Sequence, residues 1–137
     1  FVRYIFPVLG AALLSGGAAA TAGGETATFT NVERVFATTG NDTVRAGNVS
    51  ASGPDGHGIS VFTGNGNDDI LGSRFGDFID PGAGNDTVRA GDGDDFVNGS
   101  RGDDLIYGGA GNDTLDVNDG DVVTLGDGEF FGEVRPE

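Results

Sequence analysis

Between residues 63 and 116 an aliphatic side chain recurs at every ninth position: Ile70, Ile79, Val88, Val97, Ile106 and Leu115. Two positions before each stands an aspartate: Asp68, Asp77, Asp86, Asp95, Asp104 and Asp113. Two positions earlier again there is a glycine in five of the six units, with Phe75 the exception. The units run TGNGNDDIL, GSRFGDFID, PGAGNDTVR, AGDGDDFVN, GSRGDDLIY and GGAGNDTLD. Upstream, residues 28–36 alternate loosely and are rich in β-branched and aromatic residues, which predicts a strand. The stretch Thr39-Gly40-Asn41-Asp42-Thr43-Val44 matches half a unit. Its Asp42 lies one residue short of three nine-residue units before Asp68, which places it outside the array as a degenerate leading unit. Residues 50–58 are a loop by their Ser, Gly, Pro and Asp content. The tail keeps Val122, Val123, Leu125, Phe130 and Phe131 but loses the strict period, as the cap of a repeat array does. The chain thus divides into residues 1–24, 25–62, 63–116 and 117–137.

The stretch of residues 1–22 is almost wholly apolar and has two readings. Arg3, the run from Tyr4 to Leu14, and Ala18-Ala19-Ala20 or Ala20-Thr21-Ala22 together resemble the charged start, apolar centre and cleavage site of a secretory signal. Roughly 20 apolar residues also suffice for a helix that spans a bilayer, so the stretch fits a retained anchor and a membrane contact equally. The chain contains no methionine, so it does not open on an initiator residue and is expected to be processed or trimmed.

Composition narrows the chemistry. Glycine supplies 27 of 137 residues, so the backbone turns often. Seven arginines, no lysine and 22 acidic residues leave a net charge of −15, which resists compaction unless cations are supplied. Nucleic-acid binding rests on basic patches and is excluded. High glycine and high charge also describe disordered chains, but disorder does not hold aspartates at a fixed period. With no cysteine, neither disulfides nor thiolate metal sites are available, and the sole histidine, His57, lies in a loop. Zinc and copper sites want such ligands. Calcium is a hard cation that takes six to eight oxygens, and glycine-rich turns leave carbonyl oxygens unobstructed beside the aspartates.

The array resembles the RTX, or haemolysin-type, calcium-binding repeat, Gly-Gly-x-Gly-x-Asp-x-U-x with U aliphatic. The resemblance implies an all-β fold, a right-handed parallel β-roll, in which six residues turn and three form a short strand. Two units make one coil, so turns 18 residues apart stack. Asp68, Asp86 and Asp104 then share one edge, and Asp77, Asp95 and Asp113 the other, which implies about four Ca2+ ions between adjacent pairs. The family pattern adds carbonyls from turn positions two and four of the earlier unit and one and three of the later. The Asp68/Asp86 site would use Gly64, Gly66, Pro81 and Ala83, and the Asp86/Asp104 site Gly82, Gly84, Gly99 and Arg101. The Asp95/Asp113 site would use Gly91, Gly93, Gly108 and Ala110. The Asp77/Asp95 site would draw on Ser73, Phe75, Ala90 and Asp92, and is expected to be the weakest because Phe75 replaces a glycine.

Six aliphatic side chains are a small core for so long a glycine-rich segment, and its twelve aspartates repel one another. The fold is therefore expected to require calcium. An enzyme is not expected: no His-Glu-x-x-His motif occurs, and a single histidine makes no triad. Some calcium-bound repeat arrays bind ice through a threonine row. The matching positions here are Asn65, Arg74, Ala83, Asp92, Arg101 and Ala110, which rules that out. What remains is a secreted or cell-surface structural, adhesive or self-assembling module. The alternative is an accessory subunit held in a membrane complex by residues 1–22, displaying the roll outside the cytoplasm. Phe78 and Phe96 occupy the same outward position of two units and Tyr107 lies on the opposite face. All three are candidates for a partner surface unless the 28–36 strand or the tail covers them.

Overall fold

The computed structural model describes residues 34–37, 39–46, 58–118, 120–124 and 126 in full. Of the remaining residues it describes the backbone of five short strands. From β4 onward the chain winds as a parallel β-solenoid whose odd- and even-numbered strands build separate sheets. One sheet contains β1 (Arg3–Ile5), β5 (Arg34–Phe36), β7 (Ser60–Phe62), β9 (Phe78–Asp80), β11 (Phe96–Asn98), β13 (Thr114–Asn118) and β15 (Val134–Arg135), in that order. The other runs from β14 (Val122–Thr124) through β12 (Leu105–Ala110), β10 (Thr87–Asp92), β8 (Asp69–Leu71) and β6 (Thr43–Arg45). It continues to β4 (Thr26–Thr28), β3 (Ala18–Ala20) and β2 (Ala12–Leu14). Among residues 34–124 every strand pairing is parallel. Two nonapeptides therefore make one coil.

Each strand is only three to six residues long from β5 to β14, because a glycine-rich turn interrupts it at either end. With side chains alternating across a strand, the central aliphatic residue points inward and its neighbours outward. Val35, Val61, Ile79, Val97 and Leu115 thus face Val44, Ile70, Val88 and Ile106, all at 2% exposure or less. Val123 extends the second row and is partly buried. The core is a narrow column of one central aliphatic residue per strand, with Ala46, Ile59, Ala90 and Val117 buried beside it. It is continuous along the axis because identical positions stack in register, as in Val88 on Ile70 and Ile106 on Val88.

Three sequence expectations are revised. Residues 28–36 are not one strand. Thr28 closes β4 in one sheet, while Arg34–Phe36 forms β5 in the other, and residues 29–33 lie outside the described residues. The Asp42 unit is not outside the array, for Thr43, Val44 and Arg45 pair with Asp69, Ile70 and Leu71. Asp42 contacts Asp68 across 26 residues where later partners are 18 apart, so that coil carries eight extra residues rather than lacking one. They fall in the connection between β6 and β7, whose residues 47–57, including most of the expected loop and His57, lie outside the described residues. The tail, finally, continues the solenoid: Leu105, Ile106 and Tyr107 pair with Val122, Val123 and Thr124 at a spacing one residue shorter. Phe130 and Phe131 lie outside the described residues, as does most of the apolar segment 1–24 apart from the backbone of β1, β2 and β3. Among the described residues no helix is long and apolar enough to cross a membrane.

So narrow a core leaves little room for relaxation. Ile79→Ala is expected to lower the unfolding free energy by about 2–5 kcal/mol in denaturant titrations at saturating calcium. Thr87→Ser on the outer face should change it by no more than about 0.5 kcal/mol.

Candidate metal centre

The turns that join the two sheets form two edges, and the repeated aspartates line both. On one edge the N–H of Asp42 donates to Asp68 Oδ1 at 2.7 Å, that of Asp68 to Asp86 Oδ1 at 2.7 Å, and that of Asp86 to Asp104 Oδ1 at 2.8 Å. The N–H of Asp104 donates to Asp121 Oδ1 at 3.0 Å. On the other edge the N–H groups of Ile59, Asp77 and Asp95 donate to Asp77, Asp95 and Asp113 at 2.8, 2.7 and 3.1 Å. Each carboxylate is therefore held by one oxygen to the backbone of the preceding coil. Asp68, Asp77, Asp86, Asp95, Asp104 and Asp113 are all 4% exposed or less.

The second oxygen carries the chemistry. Oδ2 of Asp68, Asp86, Asp95 and Asp104 is buried with no hydrogen-bond partner among the described residues. A buried, unpaired carboxylate oxygen is costly, and folded proteins leave few such atoms unsatisfied. Burial pushes the Asp95 carboxyl up to about 8, that of Asp104 to about 7 and that of Asp86 to about 6, with neighbouring carboxylates adding to each rise. Asp68, Asp77 and Asp113 are raised by the same burial. A group so placed either takes up a proton or faces a cation.

The glycines bring carbonyls to the same edges. Gly66, Gly84 and Gly102 hold φ of 136–141°, and a Cβ at any of them would lie within 1.8 Å of the carbonyl oxygen of the glycine one coil earlier. Only glycine permits both that conformation and that approach. The expected carbonyl groups fall into two kinds. Those of Gly64, Gly82, Ala83, Arg101 and Ala110 accept backbone N–H bonds from the adjoining turn, and the Pro81 carbonyl accepts the Thr63 hydroxyl at 2.9 Å. Those of Gly66, Gly84, Gly91 and Gly93 instead abut the stacked glycine of the next coil. Gly99 and Gly108 pack against the Asp121 and Asp113 carboxylates, the Ala90 carbonyl abuts Gly72, and Asp92 is exposed. Among the described residues no three His, Cys, Asp or Glu side chains converge on one point. A cation here would thus be held by stacked aspartates, their free oxygens, and turn carbonyls. That all-oxygen set suits calcium.

Asp42 and Asp121 extend the first edge at its two ends and were absent from the expected site. Asp42 was legible, since Gly40-Asn41-Asp42-Thr43-Val44 repeats Gly84-Asn85-Asp86-Thr87-Val88 letter for letter. A second ladder was missed altogether. The side-chain carbonyls of Asn41, Asn67 and Asn85 accept the N–H of Asn67, Asn85 and Asp103 in turn, tying the outside of the same turns together.

These groups make the metal-free fold sensitive to pH. The raised carboxyls bind protons more tightly in the metal-free fold than in the unfolded chain, where they titrate near 3.8. Stability of the metal-free fold is then greatest at low pH and falls as pH rises from about 4 towards 8. Calcium binds the ionised form and so gains affinity over the same range. In chelator the chain should therefore show more β structure by far-ultraviolet circular dichroism at pH 4 than at pH 8. Equal β content at the two pH values would contradict this.

A family model described as the RTX calcium-binding nonapeptide repeat (4 copies) matches residues 29–48, 62–97 and 90–123, more than half of the chain. No curated protein and no solved structure matches significantly. The matched segments include the Asp42 unit and Asp121, which the strand register also adds to the stack. With repeats, coil geometry and all-oxygen edges in agreement, the chain belongs to the RTX calcium-binding nonapeptide repeat family and is a calcium-binding β-roll protein.

Proposed function

We propose that this chain is a non-enzymatic module that folds on calcium outside the cytoplasm and serves a structural, adhesive or self-associating role. The observation that carries the proposal is the set of buried Oδ2 atoms on Asp68, Asp86, Asp95 and Asp104. Such a fold suits surroundings where calcium is abundant, and extracellular modules operate at about 10⁻⁴–10⁻³ M calcium. Calcium would be held by Asp68, Asp86, Asp104, Asp95 and Asp113, with Asp42 and Asp121 at the ends of the first edge. Carbonyls of the stacked turns would complete each site. The ion itself supplies the positive charge that lets the turns stack in their ionised form.

The outer faces support the structural role. Phe36, Phe62, Phe78 and Phe96 form a continuous ring ladder across β5, β7, β9 and β11, with centroids 5.0, 5.5 and 5.2 Å apart. Phe36 extends this ladder instead of covering it, and Phe78 and Phe96 stay 38% and 37% exposed. Tyr107 takes no part: it lies on the other sheet, with the Arg89 guanidinium 5.7 Å over its ring. A row of exposed apolar rings on a chain of net charge −15 suits association once bound cations have lowered the repulsion.

Two measurements separate the parts of this proposal. Calorimetric titration of chelator-treated protein with CaCl2 should show saturable uptake of several ions that MgCl2 at equal concentration does not reproduce. Absence of uptake contradicts the calcium role. Sedimentation velocity at saturating calcium should show concentration-dependent association that Phe78→Ser/Phe96→Ser removes. A wild type that stays monomeric contradicts self-association alone.

A further inference from the structure

The turn spanning residues 72–77 differs from the other five in the backbone conformation that presents carbonyl oxygen to a cation. At the second position of the nonapeptide, Gly64, Gly82, Gly91, Ser100 and Gly109 all hold positive φ, from 66° to 124°. At the fourth position Gly66, Gly84, Gly93, Gly102 and Gly111 do so, from 113° to 141°. Ser73 and Phe75, which occupy these positions in the 72–77 turn, hold neither. Backbone dihedrals set where carbonyls point, so this turn cannot present the carbonyl arrangement of its neighbours.

Its aspartate is also satisfied from within. The N–H of Ser73 donates to Asp77 Oδ2 at 2.5 Å, and the Ser73 hydroxyl donates to Oδ1 at 2.7 Å. The same Oδ1 accepts the N–H of Ile59 at 2.8 Å. The Phe75 N–H in turn donates to the Ser73 hydroxyl at 3.1 Å, which ties the hydroxyl to the Phe75 backbone. Asp77 and Asp113 both fall outside the set of repeat aspartates with a sealed, unpartnered second oxygen, which holds Asp68, Asp86, Asp95 and Asp104, but only at Asp77 does a donor of the same turn occupy that oxygen. Below it the closing contacts continue: Gly58 packs directly against Asp77 Oδ1, and Ile59, fully buried, stands where the preceding coil would carry an aspartate.

Ser100 provides an internal control. It is the same residue type at the same repeat position, yet it holds φ of 66° and turns its hydroxyl outward to Asp80 at 2.8 Å. Asp104, the aspartate of its own unit, keeps an unpartnered Oδ2. Serine at position two is therefore not enough to close a turn. The difference lies at position four, where Gly102 takes the left-handed conformation and Phe75 does not. Phenylalanine disfavours that conformation, so the turn refolds and swings the Ser73 N–H and hydroxyl onto the carboxylate.

We infer that Ser73, locked by Phe75, stands in for the cation at Asp77, so that the 72–77 turn closes without metal and the Asp77/Asp95 gap takes no calcium. This inference rests on the calcium-binding reading of the other turns and departs from the family pattern at one place only. Asp95 then serves a single ion, shared with Asp113, and the two edges of the roll load unequally.

The test is an ion count by native mass spectrometry at saturating calcium. Restoring both glycines with Ser73→Gly/Phe75→Gly should raise the count by one over the wild type. In the wild-type background Asp77→Asn should leave the count unchanged, whereas Asp86→Asn should lower it by at least one. An unchanged count in the double glycine variant, or a lost ion in Asp77→Asn, overturns the inference while the calcium reading stands. A wild type that binds no calcium overturns both.

Discussion

A carboxylate oxygen sealed inside a protein with no donor facing it must find a proton or a cation, and this chain repeats that situation at Asp68, Asp86, Asp95 and Asp104. Oδ1 of each repeat aspartate is fixed by an N–H of the coil before it, which leaves Oδ2 pointing into the turn it closes. The bond that aligns the coils is therefore the same one that buries the charge. Without a counter-ion, each added coil brings another buried carboxylate against the last, and at neutral pH the stack opposes its own growth. With calcium between turns, the charge becomes the glue.

The rest of the architecture follows from making room for that arrangement. Glycines at the second and fourth turn positions let backbone carbonyls lie under the next coil with no Cβ between, and they keep the strands short. Short strands leave one central inward side chain each, so the core is a narrow column from Val35 to Leu115, widened only by residues such as Ala90 and Val117. Such a column stabilises stacking only when successive coils are in register, and the aspartate and asparagine ladders hold that register from the outside. The faces of the two sheets are then free to differ. One carries the phenylalanine ladder, and the other carries Arg45 and Arg89 on either side of Asp69, at 2.5 and 2.8 Å.

Much of this was legible because one constraint repeats at a fixed interval. The aspartate, the aliphatic residue and the glycine recur together, and every repeat aspartate lies at a turn edge beside the stacked carbonyls. Where the interval breaks, counting along the chain misleads. Asp42 looked one residue out of phase with three units, but the coil closes in space over two units and an insertion, and strand pairing tolerates an excursion between strands. Asp121 was hidden by the loss of one residue in the tail, since the turn before β14 is shorter than its predecessors. The aromatic ladder was half visible: Phe78 and Phe96 share a repeat position, but Phe36 and Phe62, opposite each other, stand two places along, and Phe62 joins Phe78 by reaching diagonally between strands. Phe75 marked the exceptional turn, while the part played by Ser73 depends on a backbone conformation that the letters do not display.

The dependence of this fold on a cation is tested most directly by far-ultraviolet circular dichroism during a calcium titration at pH 8. In excess chelator the protein should give the spectrum of an unfolded coil, and adding calcium should convert it cooperatively to a β spectrum. A β spectrum that persists unchanged in chelator at that pH would contradict the account, because the buried oxygens of Asp68, Asp86, Asp95 and Asp104 would then be tolerated without any partner.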